Sequence, residues 1–248
     1  MFKKNILFLY RPEKDIKLPY KITYSNIGEK EGKVILNSKL DIQASYNIFD
    51  INEKGHAHIR FTLDNISFIS NNVSKEVPYK GESNMLTMNQ QGQVIERKGE
   101  IPYGILEHFN FSFPAKSIAL DSFWESTCYS VFSNIKNPVE ITGIFRFDRF
   151  EGFKGYNCTH LSFVFQPKSI NLTTNIRQSL SGQGDIFFDP TYSIIACMTL
   201  NTISDTGSPG LLFRSFFKQE INPSSIRAEH CDNTSHDVII TEEYFTRY

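Results

Sequence analysis

The stretch "FDRFEGFKGYNCTHLSFVFQ" (Phe147–Gln166) decides how this chain is read. Two runs of alternating residues flank "EGFKG". The second places Leu161, Phe163 and Phe165 on one side of an extended strand and Cys158 and His160 on the other. A ribbon of two strands with a tight turn follows from that spacing. The stretch "FDINEKGHAHIRFTL" (Phe49–Leu63) repeats the pattern, with Gly55 where a positive φ is needed. Gly55 and Gly155 lie 100 positions apart, as do Asn89 and Asp189, and Val94 and Ile194. The order hairpin, polar loop, hairpin thus occurs twice, and an internal repeat is expected.

Outward from these hairpins the chain reads as strands. "YKITYSNIG" (20–28) alternates, "NMLTMNQQGQVIERKG" (84–99) is a hairpin about "NQQG", and "DIFFDPTYSIIACMTL" (185–200) is another about "DPTY". Pro102, Gly104 and Pro114 punctuate a connection between two halves, in which "ILEHFNF" (105–111) reads as a short helix. The expected fold is all-β and mainly antiparallel: a curved sheet, open barrel or sandwich built from two similar halves, with few short helices. Residues 1–19 form an N-terminal segment, 20–105 the first β half and 106–204 the second. Residues 205–248 form a C-terminal extension that packs on the β domain and covers a sheet edge or open end.

Composition agrees. Of 248 residues 40% are hydrophobic, with 22 Phe and 11 Tyr but one Trp, a mix that favours strands. A net charge of −1, from 26 basic and 27 acidic residues, lacks the basic excess of a phosphate-binding surface, so no nucleic acid is expected. "NILFLY" (5–10) is too short for a signal peptide, and no apolar run approaches the roughly 20 residues of a membrane span. The chain reads as soluble and cytoplasmic as written, or periplasmic or envelope-associated if a leader has been lost. Cys128, Cys158, Cys197 and Cys231 are far apart and contain no CxxC; buried thiols are expected, with disulfides the alternative for an exported protein. Five N-x-[ST] sites (Asn65, Asn72, Asn110, Asn157, Asn171) and a sixth at Asn233 acquire meaning only in a secretory context.

Chemistry is sparse. His56 and His58 share one side of a strand but lack a third ligand. The densest polar cluster, His230, Cys231, Asp232, His236 and Asp237, matches no zinc spacing; a solvated loop is the plainer reading beside a metal or catalytic one. Asp148, Glu151, Asp185 and Asp189 are carboxylates in or near turns, and only their separation in space could pair them. "SLSGQGDI" (179–186) carries G-x-G without the third Gly or a following helix, so no nucleotide site is expected. No catalytic residue, metal or cofactor is assigned. The remaining feature is aromatic: Phe111, Trp124, Phe145, Phe163, Phe165 and Phe187 are the expected ligand-binding residues if they line one concave face, against an ordinary aromatic core.

The doubled unit and "FPAKSIALDSFWES" (Phe113–Ser126) together resemble uncharacterised bacterial envelope proteins with the half-barrel of periplasmic lipoprotein carriers. Leu120-Asp121-Ser122 stands where those proteins carry Gly-Asp before the Trp. The resemblance implies a curved antiparallel sheet with an apolar concave face and no catalytic residues. A non-enzymatic protein that binds a lipid, another apolar ligand or a partner protein is therefore expected. The alternatives are a structural component of an envelope or surface assembly, and a hydrolase or metal-dependent enzyme using the C-terminal His/Cys/Asp cluster.

Overall fold

A computed structural model describes residues 5–102, 111–130, 139–173, 176–205 and 210–222. Every regular element among them is a β-strand, and no helix long and apolar enough to cross a membrane occurs there. In chain order the strands are β1 (Asn5–Ile6), β2 (Ile16–Lys30), β3 (Lys33–Ile51), β4 (Ala57–Ser70), β5 (Val73–Lys75), β6 (Ser83–Met88) and β7 (Val94–Lys98). Then come β8 (Ile118–Ala119), β9 (Phe123–Ser130), β10 (Val139–Phe153), β11 (Tyr156–Thr173), β12 (Ile176–Asp189), β13 (Ile194–Asp205) and β14 (Leu211–Ile221).

Local chemistry explains the hairpins. Glu31-Gly32, Asn71-Asn72 and Lys154-Gly155 each place two successive residues at positive φ, the two-residue turn whose twist matches paired strands. At the next pair of turns a side chain does the folding. Asn89 Oδ1 accepts from the N–H groups of Gln91 and Gln93, and Asp189 Oδ1 accepts from those of Thr191 and Tyr192.

Twelve strands form one antiparallel sheet in the order β7-β6-β4-β3-β2-β14-β13-β12-β11-β10-β9, with β5 added beside β4. β7 and β9 do not pair, so the sheet is open. β3-β4-β6-β7 and β10-β11-β12-β13 cross it in the same sense, though β6 and β7 have 6 and 5 residues where β12 and β13 have 14 and 12. β14 pairs β13 on one side and β2 on the other and so joins the two halves. Leu211–Ile221 is thus a central strand rather than a cover for an edge. The helix expected at 105–111 falls, except for Phe111, outside the described residues.

The sheet is strongly curled. In a flat sheet, β6 and β12 would stand about 30 Å apart at roughly 4.8 Å per strand. Yet the turn after β6 accepts a hydrogen bond from Tyr10 N–H (Gln90 O, 2.7 Å), and Ser193, in the turn after β12, donates to Leu9 O (3.2 Å). One short segment therefore bridges both. Bulges near Ala44, Asp50, Asp148 and Phe188 supply bends in the long strands. The concave face holds the core: Ile22, Ile42, Ile59, Phe61, Phe145, Leu161, Ile186, Leu200 and Phe217 are all buried.

Candidate functional site

Alternation puts one aromatic set on the concave face. Trp124 stacks on Phe145 (5.3 Å between ring centroids), Phe145 on Phe111 (5.4 Å) and on Phe163 (5.3 Å), and Phe163 meets Phe165 at 5.5 Å. Five of the six aromatics singled out in the sequence thus form one continuous group. Phe187 does not join it. It lies on the convex face, in register with His160 and Cys197 and stacked on the rings of His160 (4.8 Å) and Phe153 (4.8 Å). Alternation along β12 separates the two neighbouring rings, and Phe188 follows Ile186 on the inward face.

Glycine explains how the rings lie against the sheet. A Cβ on Gly182 would sit 2.9 Å from the ring of Phe165, and one on Gly184 would sit 2.5 Å from the ring of Phe163 and overlap the Thr199 carbonyl oxygen. The G-x-G of "SLSGQGDI" is therefore a lane cleared on β12 for the aromatic rings of its neighbour β11.

The chain itself fills much of the concavity. β1 pairs only with β8, two residues against two, and the segment runs on through Phe8 to Tyr10. Phe8 is fully buried, stacked on Phe113 (5.5 Å) and Trp124 (6.3 Å) and edge-on to Phe147 (5.5 Å). Phe113 N–H donates to Gln91 O (2.8 Å) and its ring contacts Phe188 (4.6 Å). Next to these rings is a cavity of about 90 Å³ lined by Tyr10, Tyr20, Tyr46, Met88, Phe111 and Phe113, among others. Burial raises the phenol pKa values of Tyr10 and Tyr20, so both stay neutral; Tyr20 donates to Ile195 O (3.1 Å). The Trp124 indole N–H is buried and has no hydrogen-bond partner among the described residues.

The convex face carries most of the charge. A second cleft there, of about 400 Å³, is lined by Lys21, Gln43, Asp64, Lys154 and Glu220, among others. Lys154, at the β10–β11 turn, is paired with Glu220 of β14, so the hairpin tip folds over β12 and β13. Asn157 N–H donates to Asp189 Oδ2 (3.1 Å) and anchors the tip. Beneath it Cys158, His160 and Cys197 are buried, although alternation alone turned Cys158 and His160 outward. His160 Nε2 lies 2.9 Å from Asp185 Oδ1, and its Nδ1 lies 3.7 Å from Asp148 Oδ2.

Of the carboxylates, Asp189 is occupied in its turn, Asp148 and Asp185 flank His160, and Glu151 pairs with Arg149 (2.6 Å). His58 Nδ1 bonds to Thr87 Oγ1 (3.2 Å). No group of three His, Cys, Asp or Glu side chains is arranged to hold a metal among the described residues. The cluster His230, Cys231, Asp232, His236 and Asp237 lies outside them. Cys128, Cys158 and Cys197 are buried free thiols, with burial pushing Cys128 and Cys158 up to about 12. The Phe8 segment is what sequence reasoning missed. Its signal was "NILFLY", a run too apolar for a tail in water.

No family model and no curated protein matches this sequence. Among solved structures the chain is similar to one described as lipid–protein interactions in lipovitellin: TM-score 0.53, 11% identity, 85% of this chain covered. The chain spans about a quarter (25%) of the length of that lipovitellin chain, and the likeness is one of fold. The ywiB protein from Bacillus subtilis also matches, over 83% of this chain and 93% of that one, but at 8% identity and a TM-score of 0.19 it carries no argument. The resemblance to bacterial envelope proteins has no family match behind it; the fold is an open antiparallel sheet like that of lipovitellin.

Proposed function

We propose that this is a non-enzymatic binding protein that holds an apolar, lipid-like ligand against the concave face of its sheet. The observation that carries the reading is the aromatic group Trp124, Phe145, Phe111, Phe163 and Phe165, gathered on one face of a strongly curled open sheet. Such a face offers large apolar area with few polar groups, the chemistry of a small-molecule site for apolar compounds. The lipovitellin structure with a related fold is described by its lipid–protein interactions, which lends the reading an analogy and no more. The two hairpin series crossing the sheet in one sense support a duplicated origin for that face.

Organic extraction of the purified protein followed by mass spectrometry, together with titration by the fluorescent fatty acid cis-parinaric acid, tests the reading. A co-extracted apolar compound or saturable uptake of the probe is the expected result. Protein that yields no such compound and shows no saturable uptake by any variant described below would refute it.

A further inference from the structure

We infer that the ligand site is the slot now filled by Phe8, and that the Ile6–Tyr10 segment is its exchangeable occupant. This inference rests on the proposed function and names where the ligand goes. The open cavity of about 90 Å³ is far below the roughly 300 Å³ at which small-molecule pockets begin. A ligand of lipid size therefore needs volume that protein atoms now hold.

Three observations single out the Phe8 segment. Its pairing is minimal, because β1 bonds to the two-residue β8 and not to the twelve-stranded sheet. Beyond that pair its backbone is tied at Leu9 O to Ser193 and at Tyr10 N–H to Gln90. The site it occupies is already shaped for a flat or extended apolar group. Phe113 and Trp124 lie nearly parallel to the Phe8 ring, at 15° and 23°, and Phe147 closes the edge at 88°. Finally, Tyr10 and Phe113 are walls of the existing cavity, so withdrawal of the segment joins slot and cavity into one volume.

The ligand class follows from the lining. Aromatic faces with scarcely any charge select an acyl chain or flat hydrocarbon ring. A hydrogen-bond acceptor on that ligand, a carbonyl or carboxylate, would suit the Trp124 indole N–H, which has no partner among the described residues. Because the bound form requires the segment to leave, the apparent affinity is lowered by the fraction of molecules still closed.

Two variants test this with cis-parinaric acid as the probe. Phe8→Ala empties the slot and should bind about tenfold or more tightly than wild type. Asn5→Cys with Ala119→Cys joins two residues that face each other across the β1–β8 pair, at a spacing a disulfide can span. With the cross-link verified by mass, the oxidised protein should lose about tenfold or more in affinity and recover it on reduction. A silent wild type beside a binding Phe8→Ala variant would also support the slot. If wild type binds saturably, and oxidised and reduced forms of the double variant bind alike, the inference falls while the proposed function stands. Absence of saturable binding in wild type, Phe8→Ala and the reduced variant overturns the inference, and the proposed function falls with it when no apolar compound is co-extracted.

Discussion

Gly184→Ala is the sharpest test of how the aromatic face is built, because two physical effects predict opposite signs. Replacing glycine by alanine in an unstrained strand restricts the unfolded chain and stabilises by about 0.4–1 kcal/mol. At Gly184 no room exists for the added methyl: it would overlap the Thr199 carbonyl oxygen and lie 2.5 Å from the ring of Phe163. The carbonyl is ladder backbone of the adjacent β13, so it cannot swing aside as a side-chain end could. Overpacking of this kind costs about 1–3 kcal/mol and sometimes more, which exceeds the entropic gain. Net destabilisation of about 1–3 kcal/mol is expected, a fall in melting temperature of roughly 2–12 °C for a chain of this size. Gly152→Ala is the internal control, since nothing lies closer than 4.0 Å to a Cβ there, and it should be neutral or slightly stabilising. Gly182→Ala, with contacts of 2.9–3.0 Å, should fall between the two. Urea unfolding followed by far-UV circular dichroism measures all three. A Gly184→Ala protein as stable as wild type, or ranked above Gly152→Ala, would refute the idea that these glycines exist to seat Phe163 and Phe165.

Two further predictions concern the buried polar groups. Burial holds the Cys128 thiol up to about 12, against about 8.5 in an unfolded chain. A raised folded pKa means that its contribution is intact below about 8.5 and is lost as pH climbs toward 12, by about 1.4 kcal/mol per unit. Between pH 8 and 10, wild type should therefore lose about 2 kcal/mol more stability than Cys128→Ala; parallel losses in the two would contradict this. His160→Ala removes the 2.9 Å contact to Asp185 and the stack on Phe187 under the β10–β11 hairpin. A loss of about 1–3 kcal/mol is expected, with faster reaction of Cys158 and Cys197 with a thiol reagent. Unchanged stability and labelling would show that the hairpin tip is held by other contacts.

Much of the strand pattern was legible in the residues alone, because alternation and turn chemistry act over a few positions. Leu161, Phe163 and Phe165 face one way for that reason, and Gly55, Gly155, Asn89 and Asp189 mark their turns. The same local logic picked out five aromatics that do come together, and Phe187 was misplaced among them, since alternation along β12 sets Ile186 and Phe188 inward and Phe187 on the convex face. It also set Cys158 and His160 on the outer side of β11, where they lie, but nothing within the strand reveals that the hairpin tip folds back onto Glu220 and buries them. Only tertiary structure could set β14 between β2 and β13, curl the sheet until the turns after β6 and β12 meet on one segment, and bring Phe8 against Phe113, Trp124 and Phe147. Apart from the β13–β14 pairing and the Tyr10–Gln90 bond, those contacts join residues more than a hundred positions apart. Their energy comes from shared burial rather than from local periodicity, so an apolar run such as "NILFLY" shows that it must be buried without showing where.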